Sequence, residues 1–389
     1  MDAPRGTVMD FSWTPEQDAY KRAVVDFAKD NLNDEVIDRD RRGELSLDNW
    51  RKCAEFGILG LPVSPDYGGA GEDILTTMLV MEGLGYGCTD LGLVFAINAQ
   101  MWSVQHPIET FGTEEQKERY LPGLCRGDLI GAHGMTEPDA GSDTASLQAR
   151  AKRVDGGYVL SGVKTFSTNA PICHLAVVFA TLDPGLGRGG ITAFLVDREA
   201  QGFSVSNDIS KMGLRTSPMS EIVLRDCFVP DSARLGSEGA GLAVFNSSME
   251  WERSCILAGN IGAMERQLEG CIRYARERRQ FGQPIGKFQS VSNRIADMKV
   301  RLETARLLLY KVAWLKQNRK PAVVEAAMAK LYLSECFLQS SLDALRIYGG
   351  YGYMTEFEVE RQVRDAIGGT LYSGTSDIQR VIIARMLGL

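Results

Sequence analysis

The chain has 389 residues, of which 44% are apolar and 24% charged, and its net charge is −7; this length allows two or three structural units around substantial cores. The acidic balance argues against a nucleic-acid partner, and no apolar run reaches the about 20 residues of a membrane span. Residues 1–5 show neither a signal-peptide core nor an Arg-rich transit pattern, so we expect a cytoplasmic protein.

The eight cysteines and three histidines are scattered along the chain, and no C-x-x-C pair occurs. This spacing fits buried thiols in a reducing compartment better than a disulfide framework. No set of metal ligands is visible, so the sequence predicts no metal site.

The first third of the chain has helical patterns. Thr14 followed by Pro15 and Gln17 is typical of a helix start, with Thr as the N-cap and Gln three residues later. Further apolar helical segments are predicted over 76–81 and 91–101. We expect a helical N-terminal domain over residues 1–128.

Short β-type runs replace the helical pattern near residue 129. They are separated by turn signals and cover 158–160, 175–180, 191–196, 222–224 and 227–229. These runs predict a small β-barrel or sandwich as a middle domain over residues 129–240.

Long helical patterns return after residue 240. The predicted helices cover about 243–275, 288–317, 321–347 and 376–387. They could pack as a four-helix bundle over residues 241–389. The predicted fold class is therefore α+β, with helical, β and helical domains in that order.

Four short motifs are distributed over this plan: T-E-P-D-A-G-S-D at 136–143, K-T-F-S-T-N at 164–169, R-R-Q-F-G at 278–282 and Y-S-G-T at 372–375. Alone, the first is ordinary turn chemistry, and Phe166 of the second could be a core residue. Together, and in this order, they resemble the acyl-CoA dehydrogenase family, FAD enzymes that introduce a double bond next to a thioester. The predicted order of domains agrees with this resemblance.

The resemblance implies that the first motif binds FAD. Met135 and Thr136 would face the pyrimidine end of the flavin, and Ser142 would bond to phosphate. Gly141 would allow the backbone to approach the cofactor closely. The motif would thus hold both the ring and the phosphates.

The second motif would contact the flavin ring itself. Phe166 stands where the family more often has Trp, and an aromatic side chain there would stack on the isoalloxazine. Thr168 would approach the N5 edge of the ring. Phe keeps the stacking face and lacks only the indole N–H.

The resemblance places another set of cofactor contacts in the C-terminal domain. Arg278, Gln280 and Phe281 would reach the FAD of a neighbouring subunit, because a guanidinium suits a pyrophosphate. The further matched positions are Gln289, Arg346, Gly350, Thr375 and Asp377. Arg346 stands where the family more often has Gln. An FAD site built from two chains implies a homo-oligomer, either a dimer or a tetramer.

The catalytic base departs from the family's commonest pattern. Many members place Glu immediately before the Gly-Thr of the last motif, and this chain has Ser373 there. Glu252 is the candidate base, since isovaleryl-type members carry the base on the first C-terminal helix just before an Arg, here Arg253. The ordinary alternative for Glu252 is a solvated carboxylate paired with a neighbour. Glu250 is the second candidate base, although its family position suits a substrate contact.

Substrate contacts also follow from the resemblance. The Ser373 backbone N–H would donate to the thioester carbonyl and stabilise enolate-like charge. The implied substrate-binding residues are Ser142, Glu250, Arg253, Ser373 and Gly374.

Four segments, at 169–171, 248–252, 289–294 and 373–379, are similar to the prolyl-carrier-protein dehydrogenase branch of the family. They suggest an acyl or prolyl-like group on a carrier-protein pantetheine. The alternatives are a short- or branched-chain acyl-CoA dehydrogenase of catabolism, a flavin oxidase, and a non-catalytic member of the same fold. For a dehydrogenase, the resemblance implies an acceptor such as an electron-transfer flavoprotein.

Overall fold

The structure is a computed structural model and describes residues 12–389. The expectation drawn from residues 1–5 lies outside the described residues, as do the first eleven residues of the predicted N-terminal domain. The described chain follows the predicted order of helical, β and helical parts.

Helices make up the first part of the described chain: α1 (Pro15–Asn31), α2 (Val36–Arg42), α3 (Leu47–Glu55), α4 (Ile74–Gly87), α5 (Leu91–Gln100), α6 (His106–Phe111) and α7 (Glu114–Cys125). The predicted helix start is confirmed, because Thr14 Oγ1 accepts from the Gln17 N–H at 3.2 Å and the Gln17 side chain accepts from the Thr14 N–H at 3.1 Å. Helices α4 and α5 are apolar on most sides because both are buried in the main core. A π-helical turn, Met101–Gln105, joins α5 to α6.

The middle part forms one eight-stranded mixed sheet. Its strands are β1 (Gly131–Gly134), β2 (Arg150–Val154), β3 (Gly157–Thr168), β4 (Leu175–Thr181), β5 (Ile191–Asp197), β6 (Phe203–Val205), β7 (Met219–Pro230) and β8 (Arg234–Leu235). The strand order is β6-β7-β3-β2-β4-β5-β8, and β1 pairs with β4. The pairs β1–β4 and β2–β4 are parallel, and the others are antiparallel.

Strand β4 is buried on both faces. Val177 and Phe179 pack into a core shared with α7 and α8, whereas Val178 and Ala180 pack into the core against β3 and β7. A strand covered on both sides has no polar face. The continuous apolar run at 175–180 in the sequence reflects this double burial.

The last part of the chain is helical: α8 (Gly241–Cys255), α9 (Ala258–Glu277), α10 (Gln289–Gln317), α11 (Val323–Tyr348), α12 (Val359–Gly369) and α13 (Ser376–Met386). A short hairpin of β9 (Arg279–Gln280) and β10 (Gln283–Pro284) follows α9. Three of the predicted helices correspond to α10, α11 and α13, and α12 was not predicted. Helix α11 packs against α8, α9, α10, α12 and α13.

The prediction of one helix over 243–275 is wrong, because the chain breaks between α8 and α9. No Pro or Gly marks this point. Ser254 Oγ instead donates to the carbonyls of Glu250 at 3.3 Å and Trp251 at 3.2 Å, which competes with the regular helical pattern. Ile256 and Leu257 in the break are buried. The break leaves Glu252 in the final turn of α8.

All eight cysteines are free and buried, and burial raises the pKa of each thiol. The predicted burial of the thiols is confirmed. Between residues 12 and 389, no helix has the length and apolar character needed to cross a membrane. Within the same range, no group of three or more His, Cys, Asp or Glu side chains is arranged to hold a metal ion.

Candidate active site

Glu252 is buried between two serine hydroxyls. Its side chain is in the last turn of α8, and the residue is 8% exposed. Ser103 Oγ donates a short hydrogen bond to Glu252 Oε2, and Ser373 Oγ donates to Oε1 at 2.5 Å. The carboxylate is therefore held by one donor from the N-terminal helices and one from the last motif.

The two donors come from unusual backbone segments. Ser103 lies in the π-helical turn, a wide turn that is frequent at functional sites. Ser373 has φ 54°, in the left-handed region that serine seldom adopts. No sequence pattern marks the π turn, so the contact of Ser103 with Glu252 was not predicted.

Gln379 fixes the turn that carries Ser373. Its buried side chain donates from Nε2 to the carbonyls of Ser373 at 3.2 Å and Gly374 at 2.8 Å. Gly374 has φ 87°, a conformation that favours glycine. Thr375 then caps α13 by accepting from the Ile378 N–H at 3.2 Å. A cofactor contact was predicted for Thr375, and its side chain has this capping role as well.

The environment of Glu252 acts on its pKa in two directions. Burial raises the pKa of the carboxyl group because it penalises the charged form. The hydrogen bonds from Ser103 and Ser373 lower this pKa, as do the charges of Arg253 and Lys330. A carboxyl group with a raised pKa, held by donors in a buried position, has the properties of a general base.

Glu250 lies apart from these donors. Its Oε1 accepts from Lys316 Nζ at 3.0 Å. The same ammonium lies 4.2 Å from the centroid of the Trp251 ring, which stacks on Trp102. Glu250, the second candidate base, is thus engaged in an ion pair with Lys316, away from Ser103 and Ser373.

A buried ion pair anchors the first flavin motif. Lys164 Nζ donates to Glu137 Oε1 at 2.6 Å, and both side chains are buried. The Glu137 carboxylate also accepts from two backbone N–H groups of the segment 148–149, at 2.6 and 2.9 Å. The Thr165 N–H donates to the Thr136 carbonyl at 2.8 Å. These bonds tie the first motif to the second.

The tip of the first motif is open. Gly141 and Ser142 are exposed, and Met135 at its base is buried. A Cβ atom added at Gly141 would meet nothing within 4 Å, so the chain leaves free space at this backbone position. This arrangement leaves room for a ligand beside the tip.

Phe166 projects out of the sheet. The register between β3 and β7 shifts between Lys164 and Ser167, and Phe166 has φ 55° and is 61% exposed. A core position for Phe166 is therefore excluded. Ser167 Oγ and Asn169 Oδ1 are buried and have no hydrogen-bond partner in the described part of the chain.

A chain of contacts joins this segment to Glu252. Asn169 Nδ2 donates to the Ala96 carbonyl in α5 at 3.0 Å. The neighbouring Phe95 ring packs on Tyr372, with 4.7 Å between the ring centroids. Tyr372 precedes Ser373, the donor to Glu252. These contacts connect the predicted flavin segment to the predicted base through α5 and Tyr372.

These features fit a flavin. The exposed ring of Phe166, the half-buried Thr168 and the open space at Gly141 would meet the two ends of such a cofactor. The unpaired hydroxyl of Ser167 could donate a hydrogen bond to a ligand or accept one from it, and the unpaired amide oxygen of Asn169 could accept one.

The C-terminal cofactor positions form a separate, exposed group. Phe281, at the tip of the β9–β10 hairpin, is 93% exposed. The Arg278 guanidinium lies 5.4 Å from the centroid of the Tyr351 ring, which brings the hairpin beside the turn that contains Gly350. Gln280 is exposed in the same hairpin. One chain therefore has two groups of predicted FAD contacts.

The remaining predicted positions differ in their partners. Gln289 is the first residue of α10. Arg346, half-exposed, lies 3.4 Å from Asp343 Oδ1, and Asp343 also binds Arg301 at 2.5 Å. Asp377 is exposed and pairs with Arg380 at 3.0 Å.

Comparison with protein families defines the class of the molecule. Residues 14–128, 132–227 and 239–388 match the N-terminal, middle and C-terminal domains of acyl-CoA dehydrogenase. The chain belongs to the acyl-CoA dehydrogenase family, and the predicted family and fold are confirmed.

Among individual proteins, the chain is 44% identical to the L-prolyl-[peptidyl-carrier protein] dehydrogenase of Pseudomonas fluorescens, covering 98% of this chain and all of that protein. It is 36% identical to the short-chain specific acyl-CoA dehydrogenase of Clostridium acetobutylicum, over 97% of this chain and 99% of that protein.

Two solved structures have nearly the same fold. The prolyl acyl carrier protein oxidase AnaB is 51% identical, with a TM-score of 0.96, over 97% of this chain and all of AnaB. PigA with FAD and proline is 42% identical, also with a TM-score of 0.96, over 98% of this chain and all of PigA. The chain is thus similar both to proteins that act on prolyl-carrier proteins and to acyl-CoA dehydrogenases.

Proposed function

We propose that this protein is an FAD-dependent enzyme that introduces an α,β double bond into an acyl thioester. The observation that carries the proposal is the buried Glu252 carboxylate, held by Ser103 and Ser373 where the usual glutamate of the last motif is missing. A buried carboxylate replaces the missing base, and this favours an active enzyme over a non-catalytic member of the family.

FAD is the cofactor, in agreement with the fit of the middle domain and with the FAD complexes of PigA. Bound FAD would supply the acceptor for the hydride that leaves the β-carbon of the substrate. The proposed contacts are Met135, Thr136, Gly141, Ser142, Phe166, Thr168, Arg278, Gln280, Phe281, Gln289, Arg346, Gly350, Thr375 and Asp377.

Residues of the chain itself would carry out the proton abstraction and stabilise the charge that develops on the thioester. Glu252 takes the α-proton of the thioester and becomes a neutral acid. The Ser373 backbone N–H donates to the thioester carbonyl, where negative charge develops. Ser142, Glu250, Arg253 and Gly374 are the other proposed substrate contacts. Burial excludes water from the carboxylate and strengthens these interactions.

The favoured substrate is a prolyl-like group on a carrier-protein pantetheine. The identities of 44% to the L-prolyl-[peptidyl-carrier protein] dehydrogenase and 51% to the prolyl acyl carrier protein oxidase AnaB exceed the 36% to the short-chain acyl-CoA dehydrogenase. A short- or branched-chain acyl-CoA is the second candidate, because the full-length similarity to that enzyme is also clear. Both substrates present the same pantetheine thioester.

The electron acceptor and the assembly belong to the same proposal. We expect an electron-transfer flavoprotein or a similar acceptor. Molecular oxygen is the alternative acceptor, because the similar protein AnaB is an oxidase.

The exposed hairpin at 278–282 supports a homo-oligomer, dimer or tetramer, in which this hairpin reaches the FAD of a neighbouring subunit. A cytoplasmic location is proposed for this assembly.

An anaerobic titration of the purified holoenzyme tests the substrate. One series uses prolyl groups on a carrier protein, and the other uses short and branched acyl-CoAs, while the visible flavin absorbance is followed. Bleaching by the carrier-bound series alone supports the favoured substrate, and bleaching by acyl-CoA alone supports the second candidate. If both series leave the absorbance unchanged, the proposed reaction is contradicted for these substrate classes. Peroxide formation in air during turnover would identify oxygen as the acceptor.

A further inference from the structure

Lys330 is a buried cation that has no hydrogen-bond or ion-pair partner in the described part of the chain. It lies in α11, its residue exposure is 0%, and its Nζ has no hydrogen-bond acceptor among residues 12–389. No ion pair includes it in that part of the chain, in contrast to the buried Lys164 and Lys316. An unpaired ammonium in the interior costs folding free energy, so its presence calls for another explanation.

The surroundings of Lys330 lead to the candidate base. Its Nζ lies 5.8 Å from the centroid of the Tyr372 ring, a cation–π distance. Tyr372 is followed by Ser373, whose hydroxyl donates to Glu252. Helix α11, which carries Lys330, packs against α8, which carries Glu252. The ammonium therefore lies on the α11 side of the Glu252 site.

Few charged groups share this region. Arg253 on α8 is the other cation that acts on Glu252, and Ser103, Ser373 and Tyr372 are the other groups that face it. Glu335 on α11 is exposed and accepts from Ser376 Oγ at 2.7 Å. Its charge raises the pKa of Lys330, as that of Glu252 does. The two cations are thus accompanied by one exposed carboxylate and one buried carboxyl group.

We propose that Lys330 is a positioning residue that holds Glu252 in its carboxylate form before proton abstraction. The proposal rests on the proposed function, in which Glu252 is the base. A protonated Glu252 cannot take the α-proton, so the reaction requires a group that offsets the burial of the charge. The ammonium of Lys330 does this without transferring a proton itself.

The directions of the pKa changes agree with this role. Burial raises the pKa of Glu252, and Lys330 and Arg253 lower it. Burial also lowers the pKa of Lys330 to about 8, so the side chain still carries its charge at neutral pH. Removing that charge should raise the pKa of Glu252 further.

The test compares Lys330→Met, which removes the charge, with Lys330→Arg, which keeps it, in the FAD-loaded enzyme. Infrared difference spectroscopy follows the protonated carboxyl band of Glu252 during a pH titration, with Glu252→Gln as the blank. We expect the midpoint in K330M to rise by about one pH unit and the midpoint in K330R to stay near that of the wild type. Lys316→Met is the matched control, since it removes a buried lysine that pairs with Glu250, and its midpoint should not move.

Folding provides a second readout. Because an unpaired buried charge opposes folding, K330M should be at least as thermally stable as the wild type. A K330M protein that fails to fold would overturn the proposal, because Lys330 would then be structural. An unchanged midpoint in folded K330M would overturn it as well.

The two proposals can fail separately. A raised midpoint in K330M, in an enzyme that oxidises no thioester, supports the effect of Lys330 on Glu252 and contradicts the proposed function. Normal turnover together with an unchanged midpoint contradicts only the role of Lys330.

Discussion

Ser103 and Ser373 each donate to one oxygen of the Glu252 carboxylate, and they distinguish this residue from Glu250, the other acidic residue of α8. Glu250, two positions earlier, points to Lys316 instead. The two glutamates that the sequence offered as candidate bases therefore have different surroundings, and they can be separated by substitution.

Glu252→Gln should lower turnover by about 10²–10⁴-fold, because the amide cannot take the α-proton. Glu250→Gln should cost far less, since it changes an ion pair outside the pair of serine donors. Flavin reduction in single-turnover experiments measures both. A large loss of flavin reduction in E250Q, with near-normal reduction in E252Q, would show that Glu250 is the base and Glu252 is not.

The acid side of the pH–rate profile should depend on Ser103. Its hydrogen bond lowers the pKa of Glu252, so Ser103→Ala should raise that pKa. The base must be ionised, and the rise of kcat/KM with pH should therefore move to higher pH, by about one unit. Ser248→Ala is a matched control, because its hydroxyl bonds to the Phe245 carbonyl in the same helix. A profile that is the same in S103A and the wild type would contradict the role of Ser103.

At the scale of elements, the position of the site depends on segments that the sequence predicted poorly. The position before Arg253 made Glu252 the candidate base, which stays a prediction, whereas Ser103 lies in a π turn that has no sequence signature. The break after α8 contains no Pro or Gly, so a continuous helix was predicted through it. Lys330 has the sequence context of an ordinary helical residue, and only tertiary packing shows that its Nζ is buried and has no hydrogen-bond partner within residues 12–389.

The ion pair of Lys164 and Glu137 links the two flavin motifs, and its loss should affect both stability and FAD binding. Lys164→Met leaves the Glu137 carboxylate buried without its cation, which should cost about 3–5 kcal/mol of unfolding free energy. Denaturant titration and the FAD content of the purified protein measure the two effects.

The double variant Lys164→Met with Glu137→Gln separates charge from packing. It removes both charges and keeps an oxygen that can accept from the backbone of 148–149. Much of the stability should return. If the double variant is as unstable as K164M, the loss of unfolding free energy comes from altered packing and not from the unpaired Glu137 charge.

At the scale of the whole molecule, the order of domains followed from periodicity and turn signals. The strand order did not, because the pairing of β2 with β4 and of β1 with β4 joins segments that no local pattern relates. The unbroken apolar run of β4 predicted a strand, but its burial between two cores depends on what packs above and below it.

Helix α10 has apolar residues on both its inner and outer faces. Val300, Leu307 and Trp314, spaced by seven residues, are 60%, 51% and 40% exposed in the single chain. A line of exposed apolar side chains along one helix indicates a surface that associates with another chain. We propose that this stripe is part of the contact between subunits.

Leu307→Asp should therefore lower the mass of the protein in solution, because a charge in the stripe would weaken the contact between subunits. Light scattering after size-exclusion chromatography measures the mass. Leu186→Asp, at an exposed apolar position in the middle domain, is the control and should leave the mass unchanged. An L307D protein with wild-type mass would exclude this helix as a subunit contact.

The burial of all eight thiols has a practical consequence. Alkylating reagents attack the thiolate, and each cysteine is both inaccessible and held in its protonated form. The folded wild-type protein should therefore react very slowly with maleimides. A single cysteine introduced at an exposed position outside the proposed site, for example in place of Leu186, could then carry a dye or spin label without removal of any native cysteine, and distances between subunits could be measured on an enzyme whose proposed site is unaltered.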